Sequence, residues 1–130
     1  MTGKKILVVD DEIHIVHVVA IKLRNNGYEV ISATNGAEAF ELACDEKPDI
    51  IVTDYQMPVM NGMELIEKLR QNEETEHVPV IMLTARSFSV DDEKKQQLNI
   101  AQCLSKPFSP KELLRDIEDV LYQSSVTVKN

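Results

Sequence analysis

The chain alternates five apolar, strand-like segments with five segments of helical period, and this alternation limits its fold more than any other feature. Such a pattern is typical of βαβ units that build a parallel sheet. The predicted strands span Lys4–Val9, Tyr28–Ser32, Asp49–Thr53, Val78–Leu83 and Ala101–Leu104. The predicted helices span Ile13–Asn25, Gly36–Asp45, Met63–Gln71, Phe88–Gln97 and Pro110–Tyr122. The sequence therefore predicts an α/β domain.

Length, charge and cysteine content limit the class of protein. A chain of 130 residues has the length of one domain, and we assign it residues 1–123, with 124–130 as a polar tail or the start of a linker. The net charge of −8 argues against direct binding of nucleic acid or an anionic membrane. No apolar run reaches the roughly 18–20 residues that span a bilayer. Cys44 and Cys103 lack metal-ligand spacing, which indicates a reduced, cytoplasmic protein.

Polar side chains stand where several of the predicted strands end. In an open parallel sheet the carboxyl ends of the strands meet at one crevice, where ligands bind. We therefore expect these side chains to lie together, and carboxylate oxygens are the ligands that Mg²⁺ prefers. Three carboxylates, a hydroxyl and an ammonium predict a site for a divalent metal and a phosphoryl group. The residues are Asp10, Asp11, Asp54, Thr84 and Lys106.

Most of these residues also have a simpler interpretation when each is considered alone. Asp10 and Asp11 are favoured near a helix N-terminus by the helix dipole. Thr84 has the β-branched side chain of an ordinary strand residue. Lys106 has the usual fate of a lysine if it is solvated at the surface. Because Pro107 follows it, the bond between them can be cis, which would aim Lys106 into the crevice.

Asp54 is the residue for which a purely structural interpretation is weakest. It follows the most hydrophobic predicted strand, where desolvation makes an isolated carboxylate costly. It therefore needs a cationic partner, either Mg²⁺ or Lys106. A carboxylate held in this way can attack phosphorus and become an aspartyl phosphate.

The same residues, in this order and spacing, resemble the receiver domain of two-component response regulators. The resemblance extends from Lys5 to Tyr122 and implies a flavodoxin-like, doubly wound, five-stranded parallel sheet of order 2-1-3-4-5 with five helices. The motifs that carry it are Asp10-Asp11, Asp54 with Met57-Pro58 and Gly62, Thr84-Ala85 and Lys106-Pro107-Phe108.

The resemblance also implies a function and a set of roles. A sensor histidine kinase or a histidine phosphotransfer protein donates a phosphoryl group to Asp54, and the domain then signals to a downstream effector. Such a domain catalyses only its own phosphorylation and dephosphorylation. The implied Mg²⁺ ligands are Asp11, Asp54 and the backbone carbonyl of Gln56, with Asp10 acting through a metal-bound water, while Lys106 and Thr84 bind phosphoryl oxygens.

Other functions remain as alternatives at this point. A phosphorelay intermediate uses the same chemistry, and an aspartate-based phosphatase of another α/β family also forms an aspartyl phosphate. The motif of haloacid-dehalogenase-like phosphatases is Asp-x-Asp directly after the first strand, whereas this chain has Asp10-Asp11-Glu12. A degenerate receiver used only for docking would have lost key residues that are present here. A flavin protein would need a Ser/Thr/Gly-rich phosphate loop after the first strand.

The fifth strand departs from the family pattern. Many receivers have Tyr or Phe three residues before the lysine, where this chain has Cys103, and a common Gly-Ala pair is replaced by Asn99-Ile100-Ala101. Cys103 is too small to fill the space that a moving threonine vacates. We therefore expect the signal to pass through backbone movement of residues 85–90, with Phe88 as the repositioned side chain.

The first predicted helix has more apolar residues than one buried face needs. Two stripes overlap, and periodicity does not choose which of them faces the sheet. With either stripe inward, we expect some apolar surface to remain open beside Asp54. Either the helix is buried on two sides, or part of it forms a contact patch for the phosphoryl donor beside Asp54. The stripes are Ile13-Val16-Ala20-Leu23 and Ile15-Val18-Val19, followed by Ile21.

Overall fold

The structure is a computed structural model that describes residues 3–85 and 91–128. Within these residues, five strands alternate with five helices, as predicted. The strands are β1 (Lys5–Val9), β2 (Glu29–Ala33), β3 (Ile50–Asp54), β4 (Val80–Thr84) and β5 (Ile100–Ser105). The helices are α1 (Ile13–Arg24), α2 (Gly36–Glu46), α3 (Gly62–Arg70), α4 (Asp92–Gln97) and α5 (Pro110–Val128).

The strands form one parallel sheet of order β2-β1-β3-β4-β5, which confirms the predicted flavodoxin-like topology. β3 is the central strand, and all five of its residues are buried. Its β-branched, fully apolar start suits a strand covered on both faces. All carboxyl ends point to one edge of the sheet, and the polar residues follow there.

Helices cover both faces of the sheet, so the sheet separates two apolar cores. Successive side chains of a strand point to opposite faces. Ile6 and Val8 of β1 therefore pack with α1 and α5, while Leu7 and Val9 pack with α2 and α3. The same alternation divides β3 and β4 between the two cores. The sheet edge is thus held rigidly by both layers.

Two predicted helices differ from the structure. α5 ends at Val128 instead of Tyr122, so the earlier end was wrong; residues 123–128 contain no Gly or Pro, and nothing stops the helix. α4 begins at Asp92, after the capping residue Asp91. The predicted start of this helix at Phe88, and residues 86–90 of the loop expected to move, fall outside the described residues. No helix in the described part of the chain is long and apolar enough to cross a bilayer.

Candidate functional site

Three acidic side chains meet at the carboxyl ends of β1 and β3. Asp10 directly follows β1 and is fully buried, and Asp54 is the last residue of β3 and only 7% exposed. Asp11, one residue further, is exposed. One carboxylate oxygen from each residue lies within 4.8 Å of the others. The structure thus brings together the three acids that the sequence placed at strand ends.

Gly62 fixes the backbone beneath Asp54. A Cβ atom at this position would lie 2.5 Å from the carbonyl oxygen of Asp54, so only glycine lets α3 start so close to β3. The Gly62 amide donates to the Tyr55 carbonyl at 2.8 Å. Asn61 and Glu64 form a reciprocal capping box around the same turn. The Asn61-Gly62 turn therefore orients the strand end that carries Asp54.

Lys106 reaches the acids from the neighbouring end of the sheet. Its backbone amide donates to the Thr84 carbonyl at 2.7 Å, and its bond to Pro107 is cis. The Lys106 Nζ atom lies 2.9 Å from Asp10 Oδ2 and 3.4 Å from Asp54 Oδ1. Its side chain is 19% exposed. The lysine therefore points into the site and is not a solvated surface residue.

Thr84 and Gln56 are the two remaining predicted site residues. Thr84 ends β4 and is 2% exposed, one residue beyond Leu83, which is the register partner of Asp54. Gln56 is exposed and lines the same cleft as Asp11 and Asp54. The backbone after β3 thus borders the cleft in front of the Asp54 carboxylate, and Thr84 ends the strand that pairs with β3.

The charges at this edge are unbalanced. Burial, and then the negative charge of Asp10, raise the pKa of Asp54 to about 6, although Lys106 acts in the opposite direction. Burial lowers the pKa of Lys106, but hydrogen bonds to Asp10 and Glu12 outweigh that effect and raise it above its usual value. One ammonium does not neutralise the carboxylates around it. A hard divalent cation with oxygen ligands, such as Mg²⁺, fits this donor set.

An open cleft of about 1090 Å³ lies between these residues and α1. Ile15 and Val18 of α1 line it on one side. Helix α1 buries Val19 and Leu23 against the sheet, while three of its apolar side chains stay more than half exposed. These are Ile13 at 62%, Val18 at 52% and Ile21 at 57%. The expectation that α1 leaves apolar surface open is therefore confirmed.

Glu12 also reaches the site, although the sequence prediction assigned it no role. Its Oε1 atom lies 3.1 Å from Lys106 Nζ. The run of three acids at residues 10–12 was the available signal.

Cys103 lies opposite Met82 on β4 and is half-buried against the core between the sheet and helices α2 and α3. Burial raises the pKa of its thiol. It packs away from Leu104, which faces the other core.

Comparisons with known proteins agree with this geometry. The family model of the response regulator receiver domain matches residues 6–118. The phosphate regulon transcriptional regulatory protein PhoB of Pseudomonas aeruginosa is 41% identical over 93% of this chain. The alkaline phosphatase synthesis transcriptional regulatory protein PhoP of Bacillus subtilis is 40% identical over 95% of it. The chain spans 53% and 51% of these two relatives, which is about half their length.

Solved structures show the same similarity. The chemotaxis response regulator CheY4 of Vibrio cholerae has a TM-score of 0.83 and 34% identity over 92% of this chain and 99% of its own. The receiver domain of the sensor histidine kinase PA1611 of Pseudomonas aeruginosa has a TM-score of 0.81 and 32% identity over 92% and 98%. That protein holds a magnesium ion in its active site cleft.

These likenesses give no support to an aspartate-based phosphatase or a phosphorelay intermediate. The receiver-domain family model covers most of the chain. The acids that the fold brings together form a site that is suited to a phosphoryl acceptor. The chain belongs to the response regulator receiver domain family, and it is a signalling domain of two-component systems.

Proposed function

We propose that Asp54 is the residue that accepts the phosphoryl group. The observation that carries this proposal is the position of its carboxylate: almost buried at the end of the central strand, 3.4 Å from an ammonium and beside two further acids. A carboxylate that only ended a strand would not need this surrounding. The open cleft in front of it admits a phosphoryl donor.

The transfer forms one bond and breaks one. A carboxylate oxygen of Asp54 attacks phosphorus while the bond from phosphorus to the donor histidine nitrogen breaks, and the electron pair stays on that nitrogen. Phosphoryl transfer depends mainly on positioning and on neutralising charge. Lys106 supplies positive charge, and the ends of β3 and β4 supply position. In hydrolysis, a water oxygen bonds to phosphorus while the P–O bond to Asp54 breaks. The electron pair returns to the Asp54 carboxylate, and inorganic phosphate leaves with the oxygen of the water, whose protons stay on it or pass to solvent. The domain thus catalyses both reactions on itself.

We propose Mg²⁺ as the cofactor. Asp11, Asp54 and the backbone carbonyl of Gln56 would hold the ion, and Asp10 would act through a water in its shell. A bound Mg²⁺ relieves the repulsion between the carboxylates and neutralises charge on the phosphoryl oxygens. The support in this chain is the oxygen donor set and the raised pKa of Asp54.

Phosphorylation then switches the domain. The new phosphoryl oxygens attract the Lys106 ammonium, which lies 3.4 Å from Asp54 Oδ1, and the Thr84 hydroxyl at the end of the neighbouring strand. The movement passes to a downstream effector protein or domain. Several relatives are transcriptional regulators roughly twice as long as this chain. We do not expect the domain of residues 1–123, in a chain with a net charge of −8, to bind nucleic acid directly. We assign residues 124–130 as a C-terminal tail or the start of a linker, and 124–128 of them continue α5.

We infer that a sensor histidine kinase or histidine phosphotransfer protein contacts α1. Its exposed apolar side chains stand beside the cleft that leads to Asp54. Such donors present their histidine on helices, and an apolar helix face suits that contact.

The two free cysteines agree with a cytoplasmic location, where these donors act.

Mass spectrometry after treatment with acetyl phosphate tests the acceptor. The wild type should gain one phosphoryl mass in Mg²⁺ and none in EDTA, and peptide mapping should place it on Asp54. Asp54→Asn should abolish the adduct, whereas Asp119→Asn, an exposed aspartate on α5, should leave it unchanged. An adduct that survives Asp54→Asn, or that forms equally well in EDTA, would remove the proposal.

The donor contact has its own test, with a phosphorylated histidine phosphotransfer protein and acetyl phosphate as alternative donors. Val18→Glu should slow transfer from the protein donor and leave the acetyl phosphate reaction unchanged. Tyr122→Glu, which alters an exposed residue of α5, is the matched control. Equal slowing with both donors would show that Val18 affects the site itself and not a docking surface.

A further inference from the structure

One carboxylate outside the proposed ligand and acceptor set contacts the site lysine. The Lys106 ammonium has three hydrogens to donate. It donates to Asp10 Oδ2 at 2.9 Å and to Glu12 Oε1 at 3.1 Å, while Asp54 Oδ1 is the most distant of its three acidic neighbours at 3.4 Å. In the unmodified domain, therefore, the loop after β1 holds the lysine more closely than the acceptor does.

The position of Glu12 in α1 makes this contact notable. Glu12 is the N-cap residue of α1, but its side chain makes no capping hydrogen bond. The N-cap residues of α2, α3 and α4 all accept one from the helix amides. Glutamate is not a favoured N-cap residue, whereas Ser, Thr, Asp and Asn are. The start of α1 thus lacks a side-chain cap, and the carboxylate that stands there reaches Lys106.

Asp10 hydrogen-bonds to both the Glu12 backbone and the Lys106 ammonium. Its Oδ1 atom accepts a hydrogen bond from the Glu12 amide at 2.9 Å, and its Oδ2 atom accepts one from Lys106 Nζ. The fully buried Asp10 therefore fixes both the backbone of Glu12 and the ammonium that the Glu12 side chain contacts. Glu12 itself is 48% exposed at the cleft, so it can release the lysine without leaving a buried charge unpaired.

We propose that Glu12 is a positioning residue that holds Lys106 in a resting position and opposes occupancy of the acceptor by a phosphoryl group. The inference rests on the proposed function of Asp54. A phosphoryl group on Asp54 brings oxygens that need the same ammonium. When Lys106 moves toward these oxygens, its ammonium is drawn away from the Glu12 carboxylate. Glu12 thereby stabilises the unmodified state relative to the modified one.

The test compares Glu12→Gln with the wild type by NMR during titration with beryllofluoride, in saturating Mg²⁺. Because the Glu12 side chain is 48% exposed, its ion pair with Lys106 is weak. We therefore expect beryllofluoride to bind about two- to fivefold more tightly to the variant. Glu41→Gln removes the same charge from an exposed position on α2 and should leave the affinity unchanged. Glu12→Ser should also tighten binding, although it supplies the missing helix cap.

A second measurement detects the positioning without metal or phosphoryl analogue. In protein labelled at lysine Cε, the Lys106 signal should shift in Glu12→Gln and Glu12→Ser but not in Glu41→Gln. Unchanged or weaker beryllofluoride affinity in both Glu12 variants, or a gain shared with Glu41→Gln, would overturn the inference. Absence of beryllofluoride binding at Asp54 in the wild type would instead overturn the proposed function, so the two failures are distinguishable.

Discussion

Two partly buried cations, Arg70 at the amino edge of the sheet and Lys106 at the carboxyl edge, are compensated in opposite ways. At the amino edge, the Arg70 guanidinium donates to backbone carbonyls on both sides of it, and none of its described partners is a carboxylate. At the carboxyl edge, the Lys106 ammonium lies among three carboxylates. The carbonyls that Arg70 contacts belong to Thr75, Glu76, Val78, Leu98 and Asn99.

This difference separates a structural charge from a functional one. Around Arg70 every partner is a neutral acceptor, and the cation joins the loops that precede β4 and β5 without needing any ligand. Around Lys106 the carboxylates outnumber the cation, and the pKa of Asp54 is raised to about 6. Burial of a charge is thus common to both edges, whereas incomplete neutralisation occurs at the edge that we assign to phosphoryl chemistry.

The largest expected effect on stability comes from Arg70. Arg70→Met removes hydrogen bonds to five carbonyls, several of them partly buried, and should lower the free energy of unfolding by about 3 kcal/mol. Urea denaturation followed by circular dichroism measures this loss. Arg115→Met, at an exposed position of α5, should change stability by less than about 0.5 kcal/mol. A loss below 1 kcal/mol at Arg70 would deny it the structural role.

The opposite sign is expected at the other edge. Asp54→Asn removes a charge that burial disfavours, while Lys106 keeps its bonds to Asp10 and Glu12. Because the pKa of Asp54 is raised from 3.8 to about 6, the variant should be about 2 kcal/mol more stable than the wild type at neutral pH in EDTA. Asp119→Asn is the control. Lower stability in Asp54→Asn would mean that the carboxylate is well compensated.

The pH dependence of that difference is a third prediction. Between pH 4 and 6 the unfolded Asp54 loses its proton while the folded residue keeps it, so the stability of the wild type relative to Asp54→Asn falls as pH rises through this window. Above pH 6 the folded residue is also ionised, and the difference from Asp54→Asn stays constant. Unfolding measured at several pH values in EDTA should therefore show a gap that opens from near zero to about 2 kcal/mol. A gap independent of pH would contradict the assignment to Asp54.

The smallest effect is expected at Cys103. This residue is half-buried against the α3 core and makes no described contact with Asp54 or Lys106. Cys103→Tyr should leave the rate of phosphorylation by acetyl phosphate unchanged within about twofold. Amide NMR with beryllofluoride then shows whether the tyrosine adds shifts near β5. Loss of phosphorylation would place Cys103 in the packing of the site.

The fold and most of the site follow from the sequence because they depend on patterns that are local in the chain. Runs of apolar, β-branched residues such as those of Ile50–Asp54 are recognisable as strands from the sequence, and parallel topology brings their polar ends to one edge of the sheet. Arg70 escaped prediction because its partners are backbone carbonyls, which no residue type reveals. Glu12 escaped because its contact depends on how far a side chain reaches across a loop. The end of α5 was misplaced because residues 123–128, which include no Gly or Pro, do not stop a helix.

The central claim is that the carboxylates around Lys106 have an excess of negative charge that a bound cation neutralises, whereas the surroundings of Arg70 need no ion. Denaturant unfolding of the wild type, Asp54→Asn and Arg70→Met, each in EDTA and in saturating Mg²⁺ at neutral pH, tests it most directly. We predict that Mg²⁺ stabilises the wild type and Arg70→Met equally and stabilises Asp54→Asn much less. Equal stabilisation of all three proteins, or of none, would contradict the account.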